Sequence, residues 1–106
     1  MKSESIFLDY VGDNPRMRIL QFFIEGRELD YTLTDLINAG VSWGTLNTEI
    51  PKLLHLGVIT ITRKIGRATL YKINQNNIAA KQLIELYDDL VIEKLKSLEE
   101  ENSIAA

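Results

Sequence analysis

Apolar side chains recur at helical spacing in five stretches of this chain and alternate with polar ones in a sixth. Ser3 is placed to cap a short helix through about Val11, with Ile6, Phe7 and Tyr10 on one side, and Gly12-Asp13 breaks it. Asn14-Pro15 is a strong start signal, because Asn accepts a backbone N–H at the cap and Pro suits the first helical position. That helix runs to about Glu25, where Gly26 stops it. Ile19, Leu20, Phe22, Phe23 and Ile24 leave it apolar on most sides, the pattern of a central core helix. Leu29–Leu33 reads as a short β-like piece. Thr34 then caps a short helix, Asp35–Ala39, with Leu36 and Ile37 inward. Gly40 supplies the tight turn, where a positive φ costs glycine little.

Ser42 caps the next helix, whose inward positions are Leu46, Ile50, Leu53 and Leu54, and Gly57 closes it. Two β-like runs follow, Val58–Ile65 and Ala68–Ile73, joined at Gly66-Arg67 as a hairpin. Simple alternation puts Ile59, Ile61 and Ile65 on one face and Thr60, Thr62 and Lys64 on the other. Asn74–Asn77 is a polar, cap-rich connector. The last helix is predicted from about Ile78 to Glu101, about 36 Å long at the usual rise. Ala79, Ala80, Leu83, Ile84, Tyr87, Leu90, Val91, Leu95 and Leu98 share its broad apolar face. Lys81, Glu85, Asp88, Asp89 and Lys96 lie opposite. Three glutamates at 99–101 sit badly at a helix C-terminus, so residues 102–106 are expected to be a disordered tail.

With 106 residues and an apolar share of 45%, one small domain with an arm is expected. There is no cysteine, and the single histidine, His55, cannot build a metal site without converging carboxylates. No apolar run approaches the roughly 20 residues that span a bilayer, and the first residues do not read as a signal peptide, so a cytoplasmic location is expected. Net charge is −3, but its distribution is dipolar. Residues 59–73 hold Arg63, Lys64, Arg67 and Lys72 and no acid, whereas residues 74–106 carry −4 and residues 1–58 carry −3. Only one face of such a molecule suits a phosphate backbone. No enzyme constellation appears: there is no Gly-rich phosphate loop, no nucleophile with a base, and Asp88-Asp89 reads as solvated surface.

Ser42, Thr45, Leu46, Ile50, Leu53, Gly57, Val58 and Ile59 resemble, without a gap, the recognition-helix segment of winged-helix regulators of the ArsR and MarR type. Pro15-Arg16-Met17-Arg18-Ile19-Leu20 is similar to the start of that family's first helix, and Arg63, Gly66, Arg67 and Tyr71 to its wing. The resemblance covers about residues 10–75 and implies a fold that is α+β, mainly α. Residues 1–76 would form a winged helix-turn-helix domain with a two-stranded wing, and residues 77–101 a long C-terminal dimerisation helix. It implies a homodimeric, nucleoid-associated protein that binds double-stranded DNA as a transcriptional repressor, with no cofactor and no metal. Helix 42–56 would enter the major groove and the 58–73 wing would follow phosphate or the minor groove. The DNA-binding residues are then Trp43, Thr45, Asn47, Thr48 and Lys52 on the helix and Arg63, Lys64 and Arg67 on the wing. The dimer interface is Leu83, Ile84, Tyr87, Leu90, Val91, Leu95 and Leu98.

The pattern is broken at three helix positions. Gly44 weakens the first turn, Pro51 removes a backbone donor and is expected to bend the helix, and Glu49 brings a negative charge. Glu49 either accepts from a cytosine amine or pairs with a neighbouring cation. Trp43 either stacks on a sugar or thymine methyl, or covers the junction of the two short helices. Two rivals share the fold: a protein-interaction module that never touches DNA, and a DNA partition or replication adaptor.

Overall fold

The computed structural model describes residues 5–105, with side chains through Glu101. The chain is α+β and mainly helical: α1 (Ile6–Val11), α2 (Pro15–Glu25), α3 (Leu33–Asn38), α4 (Trp43–His55), β1 (Ile59–Ile65), β2 (Ala68–Ile73) and α5 (Ile78–Ala105). β1 and β2 form a two-stranded antiparallel sheet. No described helix is long and apolar enough to cross a membrane.

Helix boundaries follow local capping chemistry. Ser5 Oγ accepts the Leu8 N–H and starts α1, whereas Ser3, the cap expected from the sequence, lies outside the described residues. Asn14 Oδ1 accepts the Met17 N–H at 3.0 Å, with Pro15 at the first helical position, as anticipated. α3 starts two residues earlier than predicted, because Thr32 and not Thr34 is its cap. The Thr32 hydroxyl accepts the Asp35 N–H while the Asp35 carboxylate accepts the Thr32 N–H. This reciprocal box needs an acceptor three residues on, which Thr32 has and Thr34 lacks. Leu33, assigned to the β-like piece, is therefore helical, and Ile37, expected inward, is exposed while Leu36 is fully buried.

α4 is capped by Ser42, whose Oγ accepts the Thr45 N–H, and runs unbroken through Pro51. It ends in a paired closure: the Gly57 N–H donates to Leu54 O and the Val58 N–H to Leu53 O. Gly57 has φ +74°, the left-handed conformation this closure requires. Val58 and Leu53 are both buried, which completes the apolar contact that usually accompanies it.

The core lies where α2, the hairpin base and the first half of α5 meet. Phe7, Ile19, Phe23, Ile24, Leu36, Leu46, Leu53, Ile59 and Ile73 are its largest fully buried side chains. Phe22, Phe23 and Tyr31 form an edge-to-face cluster with centroids 4.7–6.3 Å apart. Tyr31 also exchanges two 2.8 Å backbone hydrogen bonds with Tyr71, so the predicted strand at 29–33 survives as a single bridge on the free edge of β2. A Cβ on Gly26 would collide with the Tyr31 phenol, within 2.6 Å of Cζ. The Tyr31 ring packs edge to face on both Phe22 and Phe23, so moving it disturbs both contacts. Gly26→Ala is therefore expected to destabilise the chain by about 1–3 kcal/mol in urea unfolding. A loss below about 0.5 kcal/mol would mean that the ring yields.

α5 leaves the hairpin through Asn77, whose side chain works at both ends. Its Oδ1 accepts the Ala80 N–H at 3.0 Å, and its Nδ2 donates to Leu56 O at 3.1 Å, joining the start of α5 to the end of α4. The first half of α5 docks on α1 and α2 through Ala80, Leu83, Ile84, Tyr87 and Leu90. Phe7 and Tyr87 meet edge to face at 5.6 Å, and the Tyr87 hydroxyl donates to Glu25 Oε2 at 2.6 Å. Burial, then this hydrogen bond, hold the Tyr87 phenol at a pKa of about 12. Arg27 donates two hydrogen bonds to Asp88, at 2.7 and 2.9 Å, so Asp88 is an anchor of the docked helix and not simply solvated surface. Past Val91 the apolar stripe leaves the domain, with Leu95 56% and Leu98 45% exposed. The helix continues to Ala105, beyond its predicted end at Glu101 and through most of the segment expected to be disordered; Ala106 lies outside the described residues. The molecule accordingly measures 55 × 31 × 23 Å.

Candidate nucleic-acid interface

α4 presents three strips around its exposed side, at 100° per residue. Trp43 and Asn47 flank the hairpin side, Gly44 and Thr48 occupy the middle, and Thr45, Glu49 and Lys52 lie toward the start of α2. Trp43, Gly44, Asn47, Thr48 and Lys52 are exposed, as expected of an outward face. Their chemistry differs from the expectation in detail. The Thr48 hydroxyl donates to Gly44 O at 3.1 Å, so toward a ligand it has lone pairs and a methyl group to offer. Thr45 is half-buried and serves the cap, with Ser42 Oγ donating to its Oγ1 at 2.8 Å. It also lines a cleft with Pro15, Arg18 and Val41, away from the outward strip. Thr45 thus serves the cap of α4 and lies to the side of the outward strip.

Glu49 takes the second of its two readings. Arg16 Nε donates to Glu49 Oε1 at 2.5 Å, and the Glu49 side chain is only 16% exposed. The acid that spoiled the helix face is drawn sideways into an ion pair with α2. Lys52 stays free of ion pairs among the described residues and shares a shallow, largely apolar surface with Arg16, Pro51, His55 and Leu56.

The hairpin differs more. Arg63 was grouped with Lys64 and Arg67 because no acid lies between residues 59 and 73. Asp30 supplies one from outside: Arg63 Nε and Nη2 donate to its two carboxylate oxygens at 2.9 and 3.2 Å, and Thr62 Oγ1 donates to Oδ2 at 2.6 Å. The bond from Arg63, then that from Thr62, hold the Asp30 carboxyl below its ordinary pKa, and Arg63 is correspondingly raised. Lys64 and Arg67 form no ion pair among the described residues.

The strand register explains the separation. Ile61 pairs with Tyr71 and Arg63 with Leu70, so Thr62 is an extra residue, a β-bulge. One inserted residue moves every later side chain to the opposite face. Simple alternation, which grouped Ile65 with Ile59 and Ile61, fails there. Ile59, Ile61 and Lys64 share a face with Ile73, Tyr71 and Thr69, while Arg63 and Ile65 share the reverse with Leu70 and Ala68. Lys72 pairs with Thr60 on that reverse face.

A groove of about 230 Å³ joins the two elements, and its lining includes Thr32, Trp43, Arg67, Ala68, Thr69 and Tyr71. Trp43 is 55% exposed at its wall, so it half-covers the junction and keeps one side open. Asp30 and Arg16, which set the charge of the hairpin and of α4, are not marked by the sequence; each acts across 33 positions of chain, with no local signal. The predicted interface stripe on α5 also divides, with Leu83, Ile84, Tyr87 and Leu90 packed on the chain's own core and Leu95 and Leu98 left outside. Among the described residues no cluster of His, Asp or Glu is arranged to hold a metal ion, and no buried side-chain polar atom lacks a partner. Compared with known proteins, the chain matches no family model, no curated protein and no solved structure.

Proposed function

We propose that this chain is a winged helix-turn-helix protein that binds double-stranded DNA as a homodimer and acts as a transcriptional repressor. α3 and α4 are the helix-turn-helix, α4 is the helix that enters the major groove, and the β1–β2 hairpin is the wing. The observation that carries this reading is the electrostatics of α4 and the hairpin. Glu49 on α4 and Asp30 beside the hairpin are each held in an ion pair, while Lys52 on α4 and Lys64 and Arg67 on the hairpin stay exposed and unpaired among the described residues. A groove about 12 Å wide admits one helix, and Asn47 is the side chain on α4 best suited to a base edge, as a bidentate partner for adenine. Affinity comes mainly from phosphate contacts and falls with salt.

Two chains pair through the projecting end of α5, where Val91, Leu95 and Leu98 continue the apolar stripe beyond the domain. Pairing sets two α4 helices against half-sites about 34–36 Å apart. Selection of bound duplexes from a random pool is expected to return a palindrome. Asn47→Ala is expected to relax preference at one position per half-site by about 1–3 kcal/mol, with other positions unaffected. Absence of any mobility shift on duplex DNA at low salt would refute the reading.

A further inference from the structure

The bulge and the Asp30 carboxylate together decide which cation of the hairpin faces outward beside α4. Thr69 and Tyr71 line the groove that Trp43 walls, together with Ala68 beside the turn, and Lys64, paired with Thr69, shares the face of Thr69 and Tyr71. Arg63 projects from the reverse face, where it meets Asp30. Were Thr62 paired in a regular ladder, opposite Leu70, alternation would exchange the two, with Arg63 on the face of Thr69 and Lys64 away.

Asp30 is built to hold the bulge. It accepts hydrogen bonds from both Thr62 and Arg63, the bulge residue and the one after it. The Thr62 hydroxyl also lies 3.3 Å from Leu70 O, across the strand pair. Asp30 is itself fixed by its neighbour Tyr31, tied to Tyr71 through two backbone hydrogen bonds. The Asp30 side chain is 17% exposed against 59% for Arg63, so the carboxylate is the rigid partner and the guanidinium the mobile one.

We infer that Asp30 is a positioning residue for DNA binding: by holding Thr62 and Arg63 it stabilises the bulge, so that Lys64 and Arg67, and not Arg63, meet the phosphate backbone. This deepens the DNA-binding reading and rests on it. Asp30 thus sets both the direction and the number of the wing's phosphate contacts.

The test is the salt dependence of the full chain's affinity for a duplex, read by fluorescence anisotropy, since each phosphate contact contributes about 0.9 to the slope of log affinity against log salt. Each substitution removes one contact from each wing of the dimer, so Lys64→Ala and Arg67→Ala are each expected to lower the slope by about 1.8, and Arg63→Ala to leave it unchanged. In an Asp30→Asn background, where Arg63 is released, adding Arg63→Ala is expected to lower the slope by about 1.8. Arg63→Gln replaces Arg63→Ala if the alanine variant loses its thermal transition. A wild-type chain that binds while Arg63→Ala lowers its slope as Lys64→Ala does would overturn the role of Asp30 and leave DNA binding standing. Equal, null effects of Arg63→Ala in both backgrounds would overturn it too. A wild-type chain with no salt-dependent binding removes the DNA reading and this inference together.

Discussion

Phe23→Ala is expected to cost about 3–5 kcal/mol, the largest loss from any single truncation in this chain. Phe23 has no solvent exposure and touches both Phe22 and Tyr31 edge to face, so no neighbouring side chain can close over the gap without giving up its own contacts. Against a typical total stability of about 5–15 kcal/mol, the variant would retain little margin. Thermal denaturation followed by circular dichroism should show the midpoint falling by more than about 12 °C. The damage should extend to the hairpin, because Tyr31, which leans on Phe23, is the residue that bridges to Tyr71. A midpoint shift of less than about 4 °C would mean that the cluster repacks around the missing ring.

The double substitution Leu95→Glu and Leu98→Glu should have the opposite profile. Both side chains are about half exposed on the projecting part of α5, so the folded domain loses no internal contact and its thermal midpoint should fall only by what pairing contributes. Sedimentation should show a monomer at micromolar concentration. DNA affinity should fall by about 10²–10⁴, the gain that linking two binding modules ordinarily confers. Leu83→Glu makes the control: Leu83 packs against the chain's own core, so that substitution should destabilise the fold before it affects pairing. A double variant that still sediments as a dimer would sink the assignment of this stripe.

These contrasts show which parts of the molecule were legible in one dimension. Asn14-Pro15, Ser42 and Gly57 worked as signals because caps and closures are made by atoms only a few residues apart. Thr32 and Thr34 compete on the same terms, and the distinction lay in the spacing to Asp35, which the reading passed over. The bulge at Thr62 is of another kind. No glycine marks it, and what supports it is a carboxylate more than thirty residues earlier in the chain. The Arg16–Glu49 pair is equally remote, so the sequence left both possibilities for Glu49 open and a contact across the fold chose between them. On α5 the helical period grouped Ala80, Leu83, Ile84, Tyr87 and Leu90, which pack on the core, with Ala79, which is exposed. It carried no information on where the chain's own core stops covering that face.

Asn77 gives the architecture a mechanical consequence. One side-chain amide caps α5 and holds the last turn of α4, so the two helix ends are joined directly. In the proposed dimer, a movement of the α5 arm would reach the end of α4 through this amide as well as through the hairpin.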